Sequence, residues 1–230
     1  MKRSAHSGFA YTTQVSLAAT ETKTLRSDAR RNRERLVASA RELIAREGPD
    51  VSVEEITHLA GLGMGTLYRH FPTKEELIDA VLEDAFAGLV ELAHQAAAEE
   101  DAWTGLTTFL EQALARHAAN RGLKDVLASR KQGRRRAEAM RTRIRPVLHG
   151  LIERAKEQGT LRSDFTSEDL PLVFWTAGRV IETTASVAPE YWRRYLALLL
   201  DGLRAEAATA LPQPPLTRAQ LERAAGRRET

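Results

Sequence analysis

Residues 51–74 read VSVEEITHLAGLGMGTLYRHFPTK, and this stretch decides the fold. Ser52 followed by Glu55 is a capping box, in which the hydroxyl takes an orphan backbone N–H and the carboxylate reaches back. Ile56 and Leu59 supply an apolar stripe. The helix stops at Ala60-Gly61, because glycine accepts a left-handed or tightly turned backbone that a side chain resists. A second short helix is expected from about Gly63 to His70, with Leu62, Leu67 and Phe71 available for the core. Pro72-Thr73 ends it, and Thr73 with Glu76 makes another capping box that opens a long helix. Two short helices joined by a glycine turn match the helix-turn-helix arrangement, whose second helix lies in the DNA major groove.

Just upstream, residues 28–47 read as a helix with Leu36, Val37, Ala40, Leu43 and Ile44 at helical spacing. Basic residues concentrate at its start: Arg26, Arg30, Arg31, Arg33 and Arg35. So close to a reading head, they suit steering toward phosphates. The competing account is a solvated face neutralised by Asp28 and Glu34.

The run AGLGMGTLYRHFPTKEELI resembles the DNA-binding signature of the TetR family of transcriptional regulators, and the likeness covers roughly residues 30–83. The resemblance implies a homodimer that binds a double-stranded DNA operator. It also implies an N-terminal three-helix DNA-binding domain and a larger helical domain for dimerisation and for a small-molecule inducer.

In that role the N-terminal end of the second short helix faces base edges, so Met64, Gly65 and Thr66 are the candidate readers. Gly65 lets the backbone approach closely, and Thr66 offers a methyl or a hydroxyl. Tyr68 and His70 carry polar tips suited to phosphate oxygens. Lys74 adds its charge to the free N–H groups at the next helix start. Arg69 suits solvent or phosphate, and Ser52 is counted among the DNA-facing positions. Two departures from the family pattern stand out. Gly63 replaces the usual serine or threonine, losing a cap and a hydroxyl contact, and Glu54 stands where some members place a basic residue. Base preference is therefore not transferable.

Further out, residues 1–24 lack periodicity and are rich in Ser, Thr and Ala, so they are expected to form a disordered arm. The DNA-binding domain is set at residues 25–73 and the helical body at 74–210. A Pro-rich tail covers 211–230, in which Thr217 and Gln220 cap a final helix that either docks or stays disordered. Within the body, helices are expected to about Ala98, from Trp103 to Ala119, over 123–130, and through Met140 to Gln158 with a kink or break at Pro146. Residues 131–136 read as a loop or frayed start. An N-terminal cap signature at 166–171 opens a helix through Ile181, and another follows Pro189. No strand pattern appears, so the fold is all-α.

There is no cysteine, which excludes disulfides and thiolate metal sites and fits a reducing compartment. No apolar run reaches the ~20 residues that span a bilayer, and no secretory signal is seen, so a cytoplasmic protein without membrane contact is expected. The formal charge of +3 with a pI near 9.4 gives mild support for nucleic acid. Gly61, Gly63 and Gly65 follow a helix instead of a strand and lack the G-x-G-x-x-G spacing. Neither a Walker lysine, a nucleophile elbow nor an H-E-x-x-H zinc motif occurs. The chain is therefore not read as an enzyme, and no metal or cofactor is expected.

The ligand-pocket candidates are Trp103, Phe109, His117, Met140, His149, Phe174, Trp175 and Arg179, aromatic and polar groups able to converge between helices. The helix after Pro189 has two apolar stripes. Trp192, Leu196, Leu199 and Leu203 form a core face; Tyr191, Tyr195, Leu198 and Gly202 form a second, read as a dimer face. Gly178, on the preceding helix, is expected to pair there and complete a four-helix seam. The runner-up function is a helical small-molecule-binding protein with only weak, non-specific DNA contacts.

Overall fold

The computed structural model describes residues 9–48, 50–120, 131–206 and 208–226. Among them the chain forms helices α1 (Phe9–Glu47), α2 (Val53–Ala60), α3 (Met64–His70), α4 (Lys74–Ala98) and α5 (Ala102–Ala119). There follow α6 (Lys131–Glu157), α7 (Leu170–Thr184), α8 (Tyr191–Leu203) and α9 (Arg218–Gly226). The one β feature among the described residues is an isolated antiparallel bridge between Leu161 and Arg204. No helix among the described residues is long and apolar enough to cross a membrane.

The expected arm is a correction: α1 begins at Phe9, so residues 9–24 are helical. Propagating a helix is far easier than nucleating one, so the packed segment from Leu36 onward can template the residues before it. Residues 1–8, the remainder of that arm, and the helix expected over 123–130 lie outside the described residues. Pro146 neither ends nor divides α6, which also begins at Lys131 where a loop or frayed start was expected.

The chain divides into two compact units, one of Met1–Leu43 with Val51–Val81 and one of Ile44–Asp50 with Leu82–Thr230. The expected boundary at residue 73 therefore moves into α4. The reason is apolar: the first turns of α4 carry Leu77, Ile78 and Val81, all buried, and short helices such as α2 and α3 need that surface. In the N-terminal unit, α1 contributes Leu36, Val37, Ala40 and Leu43, α2 contributes Ile56 and Ala60, and Val51, Leu67 and Phe71 join the buried apolar residues of α4.

The second unit has one hydrophobic core. α5 is its axis, burying Trp103, Leu106, Phe109, Leu110, Ala113 and Leu114 against α4, α6, α7 and α8. A Cβ built on Gly105 would sit 2.3 Å from the Ala96 carbonyl oxygen. The end of α6 is tied to the α4–α5 turn. Arg154 donates to the carbonyls of Ala97 and Glu99, while Gln158 accepts the Ala102 amide and donates to the Glu100 carbonyl. Buried Arg162 similarly joins its own loop to the end of α8 and the residues beyond. It pairs with Asp164 and donates to the carbonyls of Gly202 and Thr209.

Candidate nucleic-acid interface

The reading head is built from the caps outward. Ser52 is the N-cap of α2, with φ −77° and ψ 155°. The Glu55 amide donates to the Ser52 hydroxyl at 3.1 Å, and the Ser52 amide donates to Glu55 Oε2 at 2.8 Å. The Ser52 hydroxyl also donates to Glu55 Oε2, at 2.7 Å. Hydrogen bonds from the Ser52 amide and hydroxyl, reinforced by the charge of Lys74, hold the Glu55 carboxyl below the usual carboxylate range. Ser52, expected among the DNA-facing residues, is therefore engaged in capping.

At the other end of α2 the chain turns through Gly61 at φ +61°, ψ +40°. The Gly61 amide donates to the His58 carbonyl and the Leu62 amide to that of Thr57, each at 3.0 Å. These are the two bonds of a Schellman ending, which needs a left-handed residue in this position. Two residues later comes Gly63, the N-cap of α3, which makes no side-chain cap hydrogen bond. This is the physical consequence of the missing hydroxyl noted in the sequence.

Along α3, Leu67 is fully buried and anchors the helix, and Phe71 is buried just beyond its end. Gly65, Tyr68 and Arg69 are exposed, whereas Met64, Thr66 and His70 are half-buried. The Thr57 hydroxyl lies 2.9 Å from the Glu54 carbonyl oxygen and 3.5 Å from the Met64 sulfur. Met64 is thus tied toward α2, and the open surface of α3 is that of Gly65, Tyr68 and Arg69. His70 lies beside Phe71, with ring centroids 6.5 Å apart. Lys74 is the half-buried first residue of α4, and the Thr73 hydroxyl accepts the Glu76 amide at 3.2 Å.

The arginines read as a steering cluster are largely engaged within the unit. Arg30 pairs with Glu34 at 3.6 Å and Arg31 with Asp28 at 2.7 Å, the neutralised face given above as the competing account. Arg33 lies over the Phe71 ring, 5.1 Å from its centroid. Arg35 donates to the Ala60 carbonyl at 2.5 Å. Sequence reasoning missed these last two roles, since both partners are more than twenty residues away along the chain.

In the second unit a cavity of about 200 Å³ opens between the ends of α5 and α7 and the start of α8. Its lining includes Ala115, Ala118, Ile181, Ala185, Trp192 and Arg193. None of the eight expected pocket residues lines it. Trp103 and Phe109 are core residues, Phe109 making an edge-on contact with Phe174 at 6.0 Å between centroids. Met140 and Phe174 pack partly buried against that core, and His117 and Trp175 are half-buried. His149 and Arg179 are exposed, Arg179 pairing with Glu182 at 3.4 Å. Large aromatic side chains fill core volume, and this cavity arises instead where α5 presents alanines and Ala185 follows the end of α7.

On α8, Trp192 and Leu196 are buried and Leu199 and Leu203 are half-buried. On the second stripe, Tyr191, Leu198 and Gly202 are exposed, while Tyr195 packs partly buried against the core. Gly178 is a correction to the expected seam. It is buried within its own unit, where an added Cβ would meet His117 Nε2 at 3.2 Å.

Residues 36–81 match the bacterial regulatory proteins of the tetR family, and residues 101–205 match the C-terminal domain of SbtR-like transcriptional regulators. The fold is also that of a TetR transcription regulatory protein from Mycobacterium vanbaalenii. That structure is 31% identical, with a TM-score of 0.64, over 78% of this chain and 99% of that one. This chain belongs to the TetR family. A TetR regulator from Streptomyces coelicolor is likewise similar, at 31% identity and a TM-score of 0.61, covering 75% and 98% of the two chains. Among curated relatives, a helix-turn-helix regulator of Staphylococcus aureus is 42% identical over 60 residues. That match spans 26% of this chain and 32% of the relative, so it speaks for the reading head alone. The protein is accordingly a TetR-family DNA-binding transcriptional regulator with a helical body.

Proposed function

We propose that the chain is a cytoplasmic repressor that binds a near-palindromic operator as a homodimer and leaves it when a small molecule binds the body. The observation that carries this reading is the reading head itself. α2 is capped at both ends, Leu67 anchors α3, and Gly65, Tyr68 and Arg69 stay open to solvent. On this reading Gly65 and Thr66 meet base edges, Tyr68, Arg69 and His70 meet the backbone, and Lys74 holds a phosphate at the start of α4. Met64 shapes the edge of the surface from its contact with Thr57.

The exposed Tyr191, Leu198 and Gly202 on α8 support the homodimer, because an apolar side chain such as Leu198, 59% exposed, gains from being covered. Two identical reading heads related by a two-fold axis then require matching half-sites. The cavity beside Trp192 supports a compact effector, since its roughly 200 Å³ is small beside the volumes of drug-sized sites.

A second reading, a ligand-binding protein with only weak DNA contacts, is favoured by the uncapped start of α3 at Gly63 and by the exposed carboxylate of Glu54. Selection from a random duplex pool, followed by footprinting, decides between them. An enriched inverted repeat is expected, and its absence would establish the second reading.

A further inference from the structure

We propose that Arg35 is a positioning residue for DNA recognition: it acts from α1 on the turn between α2 and α3 and sets where α3 lies, without itself binding phosphate. The inference rests on the specific DNA binding proposed above.

The last carbonyls of a helix lack intrahelical partners. In α2 the turn amides satisfy two of them, those of Thr57 and His58. The Ala60 carbonyl is taken by Arg35, whose Nη2 donates to it at 2.5 Å. A charge-assisted bond of this kind is stronger than a neutral one. The same guanidinium also fits the residue that makes the turn. A Cβ added to Gly61 would lie 2.9 Å from Arg35 Nη2, so the arginine occupies the space that a side chain at position 61 would need. Glycine and arginine are thus matched at one point, beyond the demand of φ +61° for glycine.

This point bears on α3 because, besides the 3.5 Å contact of Met64 with the Thr57 hydroxyl and the anchor at Leu67, the turn is what places its start. Gly63 supplies no side-chain cap, and a single residue, Leu62, separates it from Gly61. A shift of the turn is therefore carried directly into Gly65 and Tyr68. The far end of α3 is held in a similar way, by Arg33 over the Phe71 ring. Two arginines two residues apart on α1 thus meet the turn that leads into α3 and the residue that follows it.

The test uses the full-length protein and the duplex that wild-type protein selects from a random pool, with a scrambled duplex as reference. Affinities are measured across salt concentrations, with thermal unfolding alongside. Failure of the underlying reading would appear first, as a wild-type selection that enriches nothing. For Arg35→Met, a positioning role predicts a loss of about tenfold or more on the selected duplex, the scale of a hydrogen bond to a charged group. Binding to the scrambled duplex and the salt slope stay as in wild type, so the specificity ratio falls. A slope lower by about one, with the ratio intact, would instead make Arg35 a phosphate contact and overturn the proposal. A lower melting temperature with both affinities unchanged would reduce it to a structural residue and overturn it equally. Arg35→Lys keeps the charge and part of the bond, so it recovers part of the specificity ratio; it also carries the comparison if Arg35→Met does not fold. Finally, Gly61→Ala should harm recognition more with Arg35 present than in the Arg35→Lys background, where the forked group is gone. Equal harm in both backgrounds would overturn the matched fit.

Discussion

Lys74 and Thr66 test the difference between positioning on DNA and reading it. Lys74→Ala removes one cation, so binding to every duplex should weaken alike, with the salt slope lower by about one. Thr66→Ala should instead change preference at one position in each half-site and leave the slope alone. A Lys74 variant with altered base preference and an intact slope would reverse the two roles. Two glycines make a matching pair for stability. Gly105→Ala forces a methyl into the Ala96 carbonyl and should destabilise the body by about 1–3 kcal/mol, the range of overpacked sites. Gly150 sits in α6 with no atom within 4 Å of an added Cβ. Gly150→Ala should therefore stabilise by roughly 0.4–1 kcal/mol, as removing a helical glycine does. Denaturant midpoints read both signs.

At the scale of an element, α2 owes its start to the Ser52–Glu55 box, and the charged form of Glu55 is the one that the serine groups favour. A carboxyl whose folded value is depressed contributes its stability above the unfolded value and loses it as pH falls through the folded one. Acidification below the usual carboxylate range should therefore loosen α2. Glu55→Gln keeps a side-chain acceptor but does not titrate, so wild type should be the more stable at neutral pH, with the gap closing as acid is added. Hydrogen exchange of the α2 amides against pH checks this. A gap that widened toward low pH would mean that the carboxylate is not the favoured form. α8 shows how one helix divides its surface. Trp192 and Leu196 are sealed in the core, and Tyr191 and Leu198 are left outside.

For the whole molecule, that division separates folding from assembly. Leu198→Arg places a charge on an exposed face and should leave a folded, helical monomer that binds the full operator weakly. Leu196→Arg places an unpaired charge among the core residues and should unfold the body. Sedimentation and circular dichroism on both variants decide, and a Leu198→Arg protein still dimeric at micromolar concentration would contradict the face assignment. Effector release has its own reciprocity. A ligand that weakens DNA binding must itself bind the operator complex more weakly by the same factor. Calorimetry against free and operator-bound protein should show that factor; equal affinities would remove the release mechanism.

The sequence by itself determined the helix-turn-helix and the all-α class, because caps, turn glycine and apolar periodicity act within a few residues of one another. Ser52 with Glu55, Gly61 and Leu67 could each be read from near neighbours, and each stands where that reading put it. Helical periodicity likewise marked Trp192 and Leu196 for the core. Only the tertiary structure decided which polar groups were already spoken for. Nothing in the local sequence distinguishes Arg35, bonded to Ala60, from Arg30, paired at the surface with Glu34. Gly178 illustrates the same limit, since the chain around it does not say that His117 arrives from another helix to fill its space. The cavity beside Trp192 was equally hidden, because an opening belongs to no stretch of sequence: it is the volume left where helix ends meet over small side chains.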